Sequence, residues 1–279
     1  MAKNLSREGD GGADAEAEEQ FAGALAAAEA SPEDEGHWDL LEELAGELQR
    51  PDEVGAVYRK VLAGDLGGAL AASIGQRAAQ FHEEWFSEDS PQLAEVLTRV
   101  LEIDPTAEWA LQRVTVVMTV GERWTELLSL YDRALSATSD KGRREQLLDE
   151  AASLAKDFAG APDRAIDYLS QLLALRPSDA QLVSSLEQAL ERQGRWGELI
   201  ALWRTRLEGL SARDALAVRE RIAACYLDNL ADAGACLAEV RKGALDILRE
   251  RYEAGGQSAD VIRVVGVALG FAAATSAAA

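Results

Sequence analysis

Two segments of this chain are near copies of one another at a fixed distance. GERWTELLSLYDRAL (121–135) and GRWGELIALWRTRL (194–207) set Trp124, Leu127, Leu128, Leu130, Tyr131 and Leu135 against Trp196, Leu199, Ile200, Leu202, Trp203 and Leu207, each pair 72 residues apart. Pro105 and Pro177 keep the same offset. Upstream, EVGAVYRKVL (53–62) aligns with ELLSLYDRAL (126–135) at a shift of 73. SPQLAEVLTRVLEIDP (90–105) aligns with APDRAIDYLSQLLALRP (161–177) with one residue inserted. Two interleaved series of this length imply a basic unit near 36 residues. Such a chain stacks short units in a row instead of wrapping one closed core.

Each unit reads as two helices. Within 178–208, Val183, Leu186 and Leu190 share one face of a first helix, and Leu199, Trp203 and Leu207 share one face of a second. Gly194 falls at the turn between them. Pro51, Pro91 and Pro162 are placed to open second helices, where a missing N–H costs nothing. Pro105 and Pro177 are placed to stop them. The run VTVVMTV (114–120) is rich in β-branched residues and alone suggests a strand. Leu111, Val114 and Met118 keep the helical phase of the matching unit, so a helix is expected there.

These spacings resemble the tetratricopeptide repeats (TPR), which place apolar residues at positions 4, 7, 8, 11, 20, 24, 27 and 28 of a 34-residue helix pair, with proline near 32. Three series match without gaps: Trp38, Leu41, Ala45, Val54, Tyr58, Val61 and Leu62; Leu111, Val114, Met118, Leu127, Tyr131, Ala134 and Leu135; and Val183, Leu186, Leu190, Leu199, Trp203, Arg206 and Leu207. LAKDF (154–158) and IAACY (222–226) look like the family's Leu-Gly-x-x-Tyr segment. The small residue of position 8 is replaced by Glu42, Thr115 and Glu187, and the alanine of position 20 by Val54, Leu127 and Leu199. The resemblance, covering about 36–250, implies an all-α, right-handed superhelical solenoid. It would hold about six stacked antiparallel helix pairs, irregular in spacing, with an extra helix at each end.

Charge narrows the partners. The chain carries 49 acidic and 28 basic residues, a formal net charge of −21. Such a field repels phosphate backbones, so no nucleic acid is expected as partner and a membrane surface is not favoured. A protein or peptide with a basic patch suits it better, and homo-oligomers remain compatible. Residues 1–12 read as a disordered acidic N-terminus, 13–255 as the repeat domain, and 256–279 as a capping helix with a flexible alanine-rich tail. The start lacks the apolar run of a secretory signal. In SADVIRVVGVALGFAAATSAAA (258–279) only some sixteen residues follow Arg263, fewer than the roughly twenty a membrane anchor needs.

No chemistry-bearing set emerges. There is no phosphate-cradling glycine loop, HExxH or Gly-x-Ser-x-Gly, and no catalytic, cofactor-binding or metal residue is assigned. Cys225 and Cys236 read as free thiols on consecutive helices, compatible with a cytoplasmic setting. His37 is expected at a helix start and His82 on a helix flank. The resemblance implies peptide contacts from exposed positions of first helices on the concave face: Trp109, Gln112, Arg113 and Val116, then Gln181, Ser184, Gln188 and Arg192. The lysine and asparagine clamp of chaperone-binding members is missing; Asp39 and Glu43, Gln112 and Val116, and Ser184 and Gln188 stand at its positions. The expected role is a non-enzymatic scaffold or adaptor; the alternative is an assembly component that self-associates or joins a larger complex.

Overall fold

A computed structural model describes residues 10–86 and 90–253, all helices and their turns. Two compact units divide the chain after Leu175. The first holds α1 (Asp10–Ala30), α2 (Glu35–Leu48), α3 (Pro51–Leu62), α4 (Gly68–Trp85), α5 (Pro91–Ile103), α6 (Glu108–Val120), α7 (Trp124–Ala137), α8 (Lys141–Ser153) and α9 (Pro162–Leu175). The second holds α10 (Ala180–Arg192), α11 (Trp196–Thr205), α12 (Ala212–Asp228) and α13 (Ala233–Glu253). After α1, the described helices fall into six consecutive pairs, as the repeat length requires. The fold is all-α and TPR-like.

Four first helices start on a side-chain cap. Asp34, Asp140, Asp179 and Ser211 accept backbone N–H groups at the starts of α2, α8, α10 and α12, satisfying donors that a helix start otherwise leaves orphaned. Second helices α3, α5 and α9 begin on Pro51, Pro91 and Pro162, as expected. Second helices α3, α7 and α11 share another device. Arg50, Arg123 and Arg195 each make two hydrogen bonds to Glu53, Glu126 and Glu198 three residues on, at 2.6–3.1 Å. Just before each arginine the turn needs a left-handed residue: Gln49 (φ 56°), Glu122 (φ 52°) or Gly194 (φ 66°).

Burial follows the repeat positions. Trp38, Tyr58, Leu111, Val114, Met118 and Tyr131 are buried in the first unit, and Leu186, Leu199 and Trp203 in the second. In the first unit each helix packs on its neighbour in sequence, and α1, α3, α5 and α7 also touch in succession. Within the first unit, arginine or lysine rungs join each repeat to the next. Among first helices, Arg77 reaches Asp39 and Glu42, Arg113 reaches Glu83 at 3.2 Å, and Arg143 reaches Glu108 at 3.1 Å. Among the others, Lys60 bonds Glu29, Arg133 bonds Glu102 and Arg164 bonds Asp132. Each exposed pair contributes little, about 0–1 kcal/mol. Their larger effect is on the surface, because many of the few cations are already paired.

The residues at position 8 have a common answer. Glu42 accepts from Tyr58 Oη, Thr115 Oγ1 lies 3.3 Å from Tyr131 Oη, and Glu187 Oε1 accepts from Trp203 Nε1 at 2.9 Å, each across sixteen residues. The next first helix completes every cluster through Arg77, Glu150 or Arg221. A half-buried polar group replaces the small residue, and the aromatic of the paired helix satisfies it. Burial, with Glu42 alongside, raises the Tyr58 hydroxyl pKa well above the usual phenol value. Burial also pushes Tyr131 up to about 12. Two helix pairs make one full period, which is why the sequence matches itself best near 72.

Several expectations need correcting. Helix α1 opens at Asp10, inside the segment read as disordered; residues 1–9 lie outside the described residues, as do 254–279 and the expected C-terminal cap. LAKDF is not a regular helical segment but a π-helical turn (Leu154–Phe158). Its Ala155 is buried, while Phe158 is turned out to stack on Trp124 with ring centres 5.7 Å apart. Helix α11 stops at Thr205, which leaves Leu207 half-buried, and Gly209 turns the chain at φ 82°. His82 is fully buried. Its Nδ1 lies 2.7 Å from the Ala78 carbonyl oxygen, its ring packs on Phe86, and Gly55 of α3 leaves the space it fills. VTVVMTV is helical, as its phase demanded.

Candidate functional site

The site-forming surface of the first unit lies on α4 and α6. In α6, Val114, Val117 and Met118 turn inward, and the opposite side is left with Gln112, Arg113, Val116 and Val120 exposed and Trp109 half-buried. Val116 and Val120 are 61 % and 62 % exposed, one helical turn apart. The β-branched run therefore serves two surfaces, a packed one and a free one.

Trp109, Gln112, Arg113 and Val116 meet Gln76 and Gln80 of α4 around an open groove of about 580 Å³. A second cavity of about 410 Å³ adjoins it, sharing Gln76 and Gln80 and continuing past Glu84 to Glu33, Glu35 and Trp38. Gly75 sets how closely the walls approach. A Cβ there would stand 3.5 Å from Trp109 Cη2 and only 2.3 Å from Val100 Cγ2. The glycine thus lets α4 settle against α5 with the indole resting on its backbone.

The polar lining is partly satisfied. Gln112 Nε2 donates to Glu108 Oε1 at 3.1 Å, and Gln80 Nε2 donates to Glu84 Oε1 at 3.2 Å. Each amide spends an N–H on its own helix and retains a carbonyl oxygen that can accept. The cations are bound more firmly. Arg77 is held by Asp39 and Glu42, and burial opposes, but these partners outweigh, the shift that leaves its pKa raised. Arg113 is held by Glu83 at 3.2 Å. No ion pair among the described residues engages Glu33, Glu35 or Glu84.

The second unit carries the other predicted residues. Gln181, Ser184, Gln188 and Arg192 lie on α10 and all are exposed. They line neither cavity described above. The structure thus gathers four of the eight predicted residues around one groove and leaves four as an open helix face. Sequence reasoning missed Gln76 and Gln80, which stand 36 residues before Gln112 and Val116. The half-period shift, applied to the good copies, points to them.

No group of histidine, cysteine, aspartate and glutamate suited to a metal occurs among the described residues. Cys225 is a buried thiol whose pKa burial raises, and Cys236 is a half-buried one. No described helix is long and apolar enough to cross a membrane.

Comparison with known proteins assigns the chain to no family. No family model matches the chain, and no curated protein does. Among solved structures it is similar to YrrB, described as a TPR protein with an unusual peptide-binding site, at 18% identity over 74% of this chain and 93% of that one (TM-score 0.31). It is similar to a tetratricopeptide repeat protein from Parabacteroides merdae at 14% identity over 93% and 95% (TM-score 0.29). PilF of Pseudomonas aeruginosa matches at 14% over 85% and 99% (TM-score 0.31). Superposition is loose in each case, so the reading of this chain rests on its own residues.

Proposed function

We propose that this protein is a non-enzymatic interaction scaffold that holds an extended peptide segment of a partner along the first helices of its first unit. The observation that carries the reading is the groove itself. Exposed Val116 and half-buried Trp109 flank amides whose oxygens are free to accept backbone N–H groups. An extended chain offers N–H donors at every residue, and aromatic anchors with a polar rim are what recognition surfaces use. The exposed amide and arginine face of Gln181, Ser184, Gln188 and Arg192 is a second place for contact on the same principle. A cytoplasmic partner fits the free thiols.

Val116→Glu places a charge in the groove at an exposed position, so it leaves the fold intact. Partner recovery by affinity capture falls with this variant and with Trp109→Ala. Recovery equal to wild type from both would remove the groove from the function.

Assembly is the second reading, and α12 and α13 favour it. Leu227, Leu237, Val240 and Leu245 are 38–54 % exposed, while the inner side of α13 carries buried Glu239, ringed by Arg204, Arg219 and Lys242. Sedimentation over a hundred-fold concentration range separates the two. A constant monomer supports the scaffold, and concentration-dependent growth supports assembly.

A further inference from the structure

We infer that the groove selects a basic segment: a lysine or arginine side chain held at Glu33, Glu35 and Glu84, with an apolar side chain about five or six residues away resting on Trp109 and Val116. This deepens the reading above and rests on it.

The two joined cavities differ in chemistry. The α6 end offers Trp109 and the 61 % exposed Val116. The other end is lined by Glu33, Glu35 and Glu84, none of them engaged by a cation among the described residues. The arginines that border the groove are neutralised in place, Arg77 by Asp39 and Glu42 and Arg113 by Glu83. An acidic segment would therefore meet unpaired carboxylates and no free cation. A lysine or arginine would supply the charge the site lacks, and its carbon stem would lie along the cavity wall toward Gln76 and Gln80. The excess of acid over the whole chain adds long-range attraction for the same partner.

The spacing follows from helix geometry. Helices facing one another across a groove stand at least the ~8–10 Å of direct packing apart. Glu33 and Glu35 stand at the start of α2 and Trp109 and Val116 on α6, with α4 between them. The subsites are therefore two such steps apart, which an extended chain advancing about 3.3 Å per residue spans in about five or six residues.

The test is selection from a randomised twelve-residue peptide library fused at its C-terminus to a carrier, which removes the terminal carboxylate. Winners are then synthesised with blocked ends and titrated by fluorescence anisotropy. Enriched sequences carry lysine or arginine about five or six residues from an apolar side chain. Affinity falls about ten-fold or more when the basic residue becomes glutamate, or when the protein carries Glu33→Lys, Glu35→Lys and Glu84→Lys. Raised salt weakens binding as well. Trp109→Ala weakens the same peptides, and circular dichroism confirms that every variant is folded. Winners that are acidic or neutral yet still need Trp109 overturn the basic selectivity and leave the groove reading standing. Winners indifferent to Trp109→Ala and Val116→Glu, or no enrichment at all, overturn both.

Discussion

The Trp203 indole donates to Glu187 at 2.9 Å while the Arg221 guanidinium lies 4.4 Å above the centre of its ring. Arg221 also bonds the same glutamate at 3.1 Å. One buried tryptophan thus ties a first helix, its own second helix and the following first helix together, and it satisfies the charge at the position where a small residue is usual. Trp203→Ala is expected to cost about 3–5 kcal/mol, as large buried aromatics do. Trp203→Phe keeps most of the volume and loses one hydrogen bond, about 1 kcal/mol. Urea unfolding followed by circular dichroism reads both. Equal losses would mean that the bond to Glu187 dominates and the packing does not.

Gly75→Ala puts a methyl group 2.3 Å from Val100 Cγ2. Both partners are on packed helices, so the clash moves the backbone and costs about 1–3 kcal/mol. The same shift lifts Trp109, so peptide affinity falls along with the melting temperature. An unchanged melting temperature would mean that α4 and α5 are not packed this closely.

The recurring left-handed turn makes a prediction of opposite sign at different copies. Glu122 adopts φ 52° with a side chain present, at a cost of about 1–2 kcal/mol. Glu122→Gly removes that cost and returns about 0.4–1 kcal/mol as extra freedom of the unfolded chain. The net gain is about 0.5 kcal/mol. Gly194→Ala runs the other way and destabilises by about 1 kcal/mol. Thermal melts of the two variants should move in opposite directions.

Burial lowers the pKa of His82 below its ordinary value, and nearby Arg59 acts in the same direction. Between that depressed pKa and about 6.5 the unfolded chain binds more protons than the native one, so stability rises with pH there. The contribution is complete above about pH 6.5 and is lost as pH falls toward the folded pKa. The ring faces Arg59 on α3 and Glu95 on α5. Urea midpoints for wild type should decline from pH 7 to pH 5, and His82→Gln should show a shallower decline.

Much of the architecture was legible before the structure. Prolines at helix starts, Gly194 in its turn and the phase of Leu111, Val114 and Met118 are local signals, and local signals are what a sequence displays. The clusters at Glu42, Thr115 and Glu187 were visible only as departures from the family pattern. What resolves them is Arg77, Glu150 or Arg221 on the next repeat, a contact that sequence spacing within one unit does not reveal. His82 was misjudged because the room for it is made by Gly55, on another helix. The candidate groove was half legible. Its α6 wall and the α2 end with Glu35 lie in gap-free copies, whereas Gln76, Gln80 and Glu84 belong to α4, where the repeat pattern is weaker.

The most direct test follows the exposed valines by NMR. In protein with methyl-labelled valine, a blocked peptide obtained by selection should shift the methyl resonances of Val116 during titration, leave those of buried Val54 and Val100 in place, and do nothing to the Val116→Glu variant. Saturable binding that moves neither Val116 nor Val120 would place the partner elsewhere and contradict the account.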